Sequence, residues 1–400
     1  MPVFTSSIEV TADYPTIKPS LNLNFARARA LDPRITFTRS HTNIVAATYI
    51  GRDGQVKRAD VNEPRFDHDY DTGESLGLLM EEQRTNFCGD AIPSNDWGSL
   101  NNSTITSTTE LAPDGTNTAY RYQGSASSPS SLFRVGIPAF TPNGTDEYTI
   151  SFWVKQVVAN SQAGQNLICD LHDGGPTINY SSLLVQDKWV RVVQQGIPPN
   201  SPKTFFDLIS NTLNDGTYDF WGLQIEKGSF ATSLILTTDS TIGTRGAEEA
   251  KVDEQIASGD ITICAEYKLR LTSSNQWNRL FGFGEGSSDL RPLVDGSGQI
   301  NFFNYSTEFT VPWPASQPDF DTPFKIAMAV RQGVANSVVI DGGSVNTQTN
   351  TNPGAYVNWN ELYLGWSDTG NNPKHTTGHI KYFRVYNDSM TDTQLQLLSS

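Results

Sequence analysis

The chain has 400 residues, of which 28 are Lys or Arg and 43 are Asp or Glu, and its formal net charge is −15. This length exceeds one ordinary hydrophobic core and predicts two or three domains, while the acidic excess repels phosphate backbones and argues against a nucleic-acid partner. No apolar run reaches the ~18 residues of a membrane span and the N-terminus lacks a signal-peptide layout, so we expect no membrane insertion and synthesis in a cytoplasm.

Residues 1–30 are predicted to be an extended arm without a core of its own. Pro2, Pro15 and Pro19 interrupt the brief alternation of apolar and polar residues in this segment. Something outside the arm must therefore hold it, and a partner protein or another copy of the chain is the expected anchor.

Residues 31–90 contain short strand-like pieces separated by turn residues. Asp53–Gly54 and Thr72–Gly73 are pairs that close hairpins and tight turns. Leu76–Met80 is typical of a short buried strand. Together these pieces predict a small β module.

Residues 91–245 are predicted to form a β-sandwich. Three strands with mixed or alternating apolar residues stand out: Tyr148–Lys155, Lys188–Val193 and Tyr218–Glu226. Three tryptophans in the middle of these strands are predicted core residues: Trp153, Trp189 and Trp221. A linker-like segment with Gly243, Gly246 and paired glutamates then leads to the next domain.

Residues 253–400 are predicted to form a second, jelly-roll-like sandwich. Seven short strands are separated mostly by Gly, Asp and Asn: Ile261–Leu269, Arg279–Phe283, Ile300–Phe303, Phe324–Val330, Ser337–Ile340, Glu361–Gly365 and His379–Tyr386. Thr391 followed by Gln394 is a capping box that predicts one short closing helix. The predicted fold class is therefore all-β, with an N-terminal anchor arm, a small module and two sandwiches.

Cys88, Cys169 and Cys264 are far apart in the sequence. Their spacing fits neither a zinc site nor a small disulfide framework, so we predict buried free thiols.

Four tryptophans near predicted loops are candidates for carbohydrate contact: Trp277, Trp313, Trp359 and Trp366. Sugar rings pack their C–H faces on exposed aromatic planes, while polar groups bond the hydroxyls. Trp313 stands between two prolines, where a core role is awkward. Packing within the sandwich remains the alternative for each of the four.

No cofactor is expected, with a structural calcium ion as the alternative. Asp170, Asp173 and Asp341 lie beside tight turns and supply the oxygen ligands that calcium prefers. None of them stands in an EF-hand pattern. The five histidines have no metal-binding or catalytic motif around them.

Several N-terminal segments resemble tailed-bacteriophage virion proteins: Pro19–Arg29, Phe37–Ser40, Ala47–Gly54, Asn62–Asp69 and Leu76–Asn86. Phe220–Ile235 followed by Thr244–Arg245 is similar to the end of the carbohydrate-module-like jelly roll in the same proteins. Leu362–Gly365 and Gly378–Tyr386 resemble a concanavalin A-like LamG domain. The resemblance implies that the second sandwich is concanavalin A-like.

The resemblance implies a non-enzymatic phage structural protein, either a head decoration, a head fibre or a tail fibre. Residues 1–90 would then contact other virion proteins, such as the major capsid or tail proteins. A homo-oligomer, most simply a trimer, and adhesion to surface glycans of the host or environment are also implied. The expected location is the virion, after synthesis in the host cytoplasm.

A polysaccharide depolymerase or glycosidase of a phage tail is the alternative function. Such an enzyme needs two carboxylates that flank the sugar bond, and concanavalin A-like hydrolases carry them as E-x-D-x-x-E on one strand. The sequence contains no such run and no G-x-S-x-G motif. We therefore expect no enzymatic activity and assign no catalytic residue, although carboxylates from separate loops would escape a motif search.

Overall fold

The computed structural model describes residues 16–42, 46–94, 97–100, 103–125, 131–140, 146–162, 166–169, 177–197, 203–270, 278–283, 290–294, 299–304, 307–313, 322–331, 334–348, 358–359, 361–367 and 374–400. These ranges form an almost entirely β protein, which confirms the predicted fold class. Their helical elements are a short 3₁₀ helix at Ser181–Leu183 and helix α1 at Asp392–Ser399. Neither is long and apolar enough to cross a membrane.

The strands are numbered β1 to β36 in chain order. The first fifteen are β1 Leu21–Asn24, β2 Ile35–Thr38, β3 His41–Thr42, β4 Ala46–Ile50, β5 Val56–Ala59, β6 Phe66–His68, β7 Ser75–Met80, β8 Arg84–Asn86, β9 Trp97–Leu100, β10 Thr104–Ser107, β11 Tyr120–Ser125, β12 Ser131–Phe140, β13 Tyr148–Val158, β14 Ile168–Cys169 and β15 Ile178–Asn179. The remainder are β16 Trp189–Ile197, β17 Lys203–Thr212, β18 Asn214–Lys227, β19 Ile235–Leu236, β20 Gly243–Arg245, β21 Glu249–Val252, β22 Ala257–Ser258, β23 Ile261–Leu269, β24 Asn278–Arg279, β25 Phe281–Phe283, β26 Leu290–Val294, β27 Ile300–Asn304, β28 Thr307–Val311, β29 Pro323–Val330, β30 Asn336–Ile340, β31 Asn346–Gln348, β32 Asn358–Trp359, β33 Leu362–Leu364, β34 Trp366–Ser367, β35 Lys374–His375 and β36 Gly378–Tyr386.

Contacts within the chain divide it into two compact units. Unit 1 contains residues 1–37, 75–81 and 248–400, and unit 2 contains residues 38–74 and 82–247. This division differs from the predicted boundaries, because residues 31–90 are shared between the units instead of forming one small module. The segment before residue 253 that was predicted to be a linker contains strand β21, which belongs to unit 1.

Unit 1 is a sandwich of two sheets. Sheet A has the order β31-β30-β29-β23-β36, and β36 also pairs with β1 and β7. Sheet B has the order β2-β21-β33-β25-β26-β27-β28, with β24 also paired to β26. Phe281 of sheet B and Phe383 of sheet A meet edge to face, 5.2 Å between ring centroids. All seven strands predicted after residue 253 lie in these two sheets, which confirms the predicted sandwich.

The N-terminal part of the chain completes both sheets of unit 1. Strand β1 pairs with residues 382–385 of β36, and β7 pairs with residues 378–380. Strand β2 is the outermost strand of sheet B, beside β21. Leu21, Leu23 and Phe25 are at most 2% exposed. Residues 21–25 therefore belong to the sandwich itself, which corrects the prediction of an arm that only an outside partner would hold.

Helix α1 begins as the sequence predicts. The Thr391 hydroxyl accepts a hydrogen bond from the Gln394 backbone N–H, and the Gln394 side chain accepts one from the Thr391 backbone N–H. Both N–H groups would otherwise lack a partner at the helix start. Leu395 and Leu398 are buried against the outer face of sheet A, so the helix covers part of that face.

Unit 2 contains a second sandwich. Its larger sheet has the order β10-β11-β18-β13-β16, and its smaller sheet has the order β17-β12-β9. Phe133 of the smaller sheet meets Phe220 of the larger sheet edge to face at 5.1 Å, within a core rich in aromatic residues. Strands β13 and β18 contain the predicted strands Tyr148–Lys155 and Tyr218–Glu226, and β16 contains all of Lys188–Val193 except Lys188.

The opposite face of the larger sheet supports a second core. Trp153, Trp189 and Trp221 are buried there, as predicted, together with Val56 and Leu234. The alternation of side chains along a strand explains the placement of two of them, because Phe152 and Val154 beside Trp153, and Phe220 beside Trp221, fill the first core.

The three cysteines are free and buried, which confirms their prediction. Burial raises the pKa of the Cys88 thiol to about 12 and that of the Cys264 thiol to about 11. Both thiols are therefore protonated and unreactive at neutral pH.

Candidate functional site

The tryptophans predicted to contact sugar occupy different environments. Trp277 lies outside the described residues. Trp359 is 2% exposed and its indole N–H donates to the Gly259 carbonyl at 2.7 Å, while Trp366 is 9% exposed and donates to the Ala250 carbonyl at 3.1 Å. Such rings offer no face to a saccharide. The structure therefore corrects the prediction for Trp359 and Trp366, which belong to the core of unit 1.

Ring packing explains why these two tryptophans are buried. Trp359 packs edge-on against Phe283 at 5.1 Å. Trp366 lies edge-on to Tyr363 at 4.9 Å and stacks on the His375 ring at 6.1 Å. Neither set of contacts has a signal in the sequence near the tryptophan, which is why proximity to loops was a misleading guide.

Trp313 is partly exposed, unlike Trp359 and Trp366. Its half-buried ring packs edge-on against Phe324 at 5.1 Å, and Phe324 in turn stacks on Tyr267 at 5.8 Å. These contacts hold the indole just beyond the end of β28 with part of its surface open to solvent. Its contact with sugar stays a prediction.

We expect Trp359→Ala to destabilise unit 1 by about 3–5 kcal/mol, because the substitution removes a buried ring and leaves a cavity. Calorimetric thermal unfolding of the full chain measures the effect. Trp313→Ala is the matched control and should lower the unfolding temperature less, since its ring is partly exposed. Equal losses for the two variants would contradict the core assignment of Trp359.

A polar area lies on the outer face of sheet A, beside helix α1. We call it the polar face, and its members are Asn22 and Asn24 of β1, Glu266 of β23, Lys325 of β29, and Lys381, Tyr382 and Arg384 of β36. Leu23 and Phe383 alternate with these residues and point into the sandwich, where they are buried. The polar side chains therefore share the surface that α1 leaves uncovered.

The strand register places these side chains in rows. One row contains Asn24, Tyr382, Glu266 and Lys325, and the next contains Asn22 and Arg384. The Arg384 guanidinium carbon lies 4.5 Å from the centroid of the Tyr382 ring, and Nε donates to Asn22 Oδ1 at 3.2 Å. Lys381 Nζ lies 3.2 Å from Glu266 Oε1. The result is a connected polar surface with an aromatic ring at its centre.

The Tyr382 hydroxyl contacts a buried cysteine. Cys264 Sγ lies 3.8 Å from the hydroxyl and 3.4 Å from the Leu398 carbonyl of helix α1. Burial raises the pKa of Tyr382 above its ordinary value. The phenol therefore stays neutral, and its ring supports the Arg384 guanidinium.

Of the predicted calcium ligands, the structure describes Asp341. Asp170 and Asp173 lie outside the described residues, so that part of the prediction stays as it was. Asp341 ends strand β30 with a φ of 47°, and its Oδ1 accepts the Lys325 backbone N–H at 2.7 Å. Burial raises the pKa of Asp341. Its carboxylate closes the end of the β29–β30 pair, and its role as a calcium ligand stays a prediction.

No group of three His, Cys, Asp or Glu side chains within the described ranges could hold a metal ion.

Unit 2 contains a buried polar network that the sequence reading did not anticipate. We call it the polar lock, and its members are Arg65, Glu82, Gln224, Glu226, Thr232, Ser233 and Arg245. Arg65 Nη1 donates to Ser233 Oγ at 2.5 Å, and Arg245 Nη1 donates to the same oxygen at 3.1 Å. Arg245 Nη2 also donates to the Glu82 carbonyl at 2.9 Å.

The carboxylate of Glu226 completes the polar lock. It accepts hydrogen bonds from Gln224 Nε2 at 2.8 Å and from the backbone N–H and hydroxyl of Thr232 at 2.7 and 2.8 Å. These groups are fully or almost fully buried. A network this enclosed holds three distant chain segments together and is not open to a ligand.

Members of the polar lock lie in segments that the sequence analysis singled out. Arg65 lies in Asn62–Asp69, Glu82 lies in Leu76–Asn86, and the remaining members lie in Phe220–Ile235 or at Arg245. The motif was visible in the sequence, but the contacts that join its parts were not. Its polar residues serve the fold of unit 2.

Comparison with known families identifies part of the chain. Residues 243–396 match a family model described as the concanavalin A-like lectin/glucanases superfamily. This region is a concanavalin A-like domain of the LamG type, as the resemblance in sequence implied. No curated protein matches the chain.

Solved structures similar to part of the chain include a carbohydrate-binding module, a domain of an arabinanase and a pentraxin. The CBM40 of the Ruminococcus gnavus IT-sialidase, solved with α2,3-sialyllactose, is 18% identical with a TM-score of 0.31, over 36% of this chain and 84% of that one. Domain 4 of AbnA, a GH43 arabinanase from Geobacillus stearothermophilus solved with arabinotriose, is 15% identical with a TM-score of 0.30, over 38% and 73%. An SAP-like pentraxin from Limulus polyphemus is 14% identical with a TM-score of 0.30, over 36% and 70%.

Proposed function

We propose that this protein is a non-enzymatic structural protein on the surface of a tailed-bacteriophage virion, where it binds surface glycans. The observation that carries glycan binding is the match of residues 243–396 to the concanavalin A-like lectin/glucanases superfamily. The virion assignment is supported by the N-terminal segments that resemble phage virion proteins, and its location on the head or tail follows from the same resemblance.

Glycan binding is assigned to unit 1. Trp313 offers part of an indole ring to a sugar face, and the polar face offers amides, a phenol ring and a guanidinium for hydroxyl and acidic groups. Both are shallow surfaces, so each copy binds weakly. Many copies on one particle convert weak sites into firm attachment through multivalency.

The proposal that the protein is not an enzyme is supported by the partners of its buried carboxylates. Asp207 receives two hydrogen bonds from Arg134, at 2.6 and 2.9 Å, and Asp219 receives two from Arg121, at 2.7 and 2.9 Å. A glycosidase needs one carboxyl group that releases a proton to the leaving group and a second that acts on the sugar or on water. Carboxylates held by arginine forks are poorly suited to the acid role.

Residues 1–90 are proposed to contact other virion proteins, and a trimer is proposed as the assembled form. The strands β1, β2 and β7 take part in the fold of unit 1, so the contact surfaces within residues 1–90 are assigned to the segments between strands. Electron microscopy of particles labelled with an antibody against unit 2 tests the location. Label on the head or tail surface is expected, and unlabelled purified particles would contradict it.

A glycan array probed with the full chain tests the binding function. We expect Trp313→Ala to weaken binding by about tenfold, because loss of one stacking ring removes on the order of 1 kcal/mol or more. Trp153→Phe, which changes a buried ring in unit 2, is the control and should leave binding unchanged. An unaltered signal for Trp313→Ala would remove that residue from the site.

A further inference from the structure

We propose that the polar face of sheet A is a binding site for an acidic saccharide, with the Arg384 guanidinium as the receptor for a sugar carboxylate. The inference rests on the proposed glycan-binding function and names the chemical class of the glycan. It is carried by the positive charge of Arg384, by the way this side chain is held, and by the free amides beside it.

Arg384 is the cation of the polar face that has no acidic partner among the described residues. Lys381 Nζ pairs with Glu266 Oε1 at 3.2 Å, and Lys325 lies beside the Asp341 carboxylate and donates Nζ to the Ser400 carbonyl. The whole chain carries a net charge of −15. A single guanidinium without an acidic partner suits an anion of limited charge.

Arg384 is held in position before any ligand binds. Its Nε donates to Asn22 Oδ1 at 3.2 Å, and its guanidinium lies over the Tyr382 ring at 4.5 Å. Its two terminal nitrogens make no hydrogen bond to any residue that the structure describes. A planar guanidinium with its outer edge open matches a carboxylate through two parallel hydrogen bonds.

The neighbouring amides fit the hydroxyl groups of a sugar. Asn24 stands one row from Arg384 on the adjacent strand, and within the described ranges its side-chain amide has no hydrogen-bond partner. The amide nitrogen of Asn22 is also open, since that side chain uses its oxygen to accept from Arg384. These donors and acceptors lie roughly 5–8 Å apart across the two strands, which is the span of one sugar ring.

The net charge of the chain favours weakly charged anionic ligands over densely charged ones. A densely charged polymer such as a nucleic acid meets long-range repulsion from the net charge of −15. A saccharide that carries one carboxylate per one to a few sugar rings meets weaker repulsion. It also gains a charge-assisted hydrogen bond at Arg384. In the described part of the sheet no strand pairs with the outer edge of β1, so a polysaccharide chain can extend past the site.

A glycan array with uronic-acid and sialic-acid oligosaccharides, each printed beside its carboxyl-reduced neutral counterpart, tests the inference. We expect the full chain to bind the acidic forms at least tenfold more tightly, and binding to weaken as salt rises. Arg384→Gln should reduce acidic-glycan affinity about tenfold or more. Lys188→Gln, which removes one exposed positive charge in unit 2, is the matched control and should have no effect.

Two further variants separate loss of the site from loss of the fold. Arg384→Lys keeps the charge but not the planar fork and should retain part of the affinity, while Asn24→Asp adds a repelling charge and should reduce it. Thermal unfolding of each variant should match the parent chain.

Three results would overturn the inference. Equal binding of acidic and carboxyl-reduced glycans would reject the acidic class but leave the proposed glycan-binding function standing. An unchanged affinity for Arg384→Gln would place the site elsewhere. Arg384-dependent binding to a protein stripped of its glycans would show that the polar face binds protein and not an acidic saccharide. Absence of binding to every glycan would instead refute the proposed function itself.

Discussion

A chain that lacks residues 1–37 is expected to lose the native fold of unit 1. Leu21, Leu23 and Phe25 are buried in the sandwich, and burial of three such side chains contributes roughly 5–9 kcal/mol. This is a large share of the about 5–15 kcal/mol by which a domain is stable. The deletion also removes β1 from β36 and β2 from β21, which leaves two open strand edges that favour aggregation.

Size-exclusion chromatography and calorimetry of the deleted chain measure this effect. We expect aggregates and loss of the unfolding transition of unit 1. In the full-length chain, Leu23→Asp should produce a similar loss by placing a charge in the core, whereas Asn22→Asp on the exposed side of the same strand should not. A deleted chain that elutes as a folded monomer with that transition unchanged would show that the N-terminal strands are dispensable.

Arg245→Met is expected to destabilise unit 2 by about 3–5 kcal/mol. The buried guanidinium donates to Ser233 Oγ and to the Glu82 carbonyl, and its removal leaves these partly buried acceptors without their hydrogen bonds. For a domain of this size about 2–4 °C is lost per kcal/mol, so the unfolding temperature of unit 2 should fall by on the order of 10 °C.

Arg58→Met, which changes an exposed arginine of unit 2, is the control and should shift the transition little. Differential scanning calorimetry of both variants in the same buffer gives the comparison. If Arg245→Met and Arg58→Met unfold together with the parent chain, the polar lock does not hold unit 2 together.

The features that the sequence predicted best are those with local causes. Ile261–Leu269 was predicted as a strand with the bounds that β23 has, because alternation and β-branched residues act within one segment. The capping box at Thr391 likewise depends on residues three positions apart. Turn residues between strands then made the sandwich class readable without knowledge of strand order.

The features that escaped prediction depend on pairing across the whole chain. Ser20 Oγ donates to the Val385 carbonyl at 3.1 Å, and Leu21 is in register with Val385 in the sheet. No local pattern specifies a partner more than 300 residues away, so residues 1–30 were interpreted as a separate arm. The polar lock was not predicted for the same reason, although each of its segments was recognisable by itself.

The candidate site was predictable only in part. Trp313 was singled out because prolines flank it, and the structure keeps it at the surface, but Trp359 was singled out by nearby loops and is buried. The polar face had no sequence signal, because Asn22 and Arg384 become neighbours only when β1 pairs with β36. Sites built across paired strands need the register before they can be seen.

The most direct test of the account is to incubate the full chain with the array glycans in solution, recover bound and unbound material, and weigh both by mass spectrometry. The account expects acidic glycans to be retained and recovered at their original mass after prolonged incubation. Recovery of shortened products, or retention of no glycan at all, would contradict it.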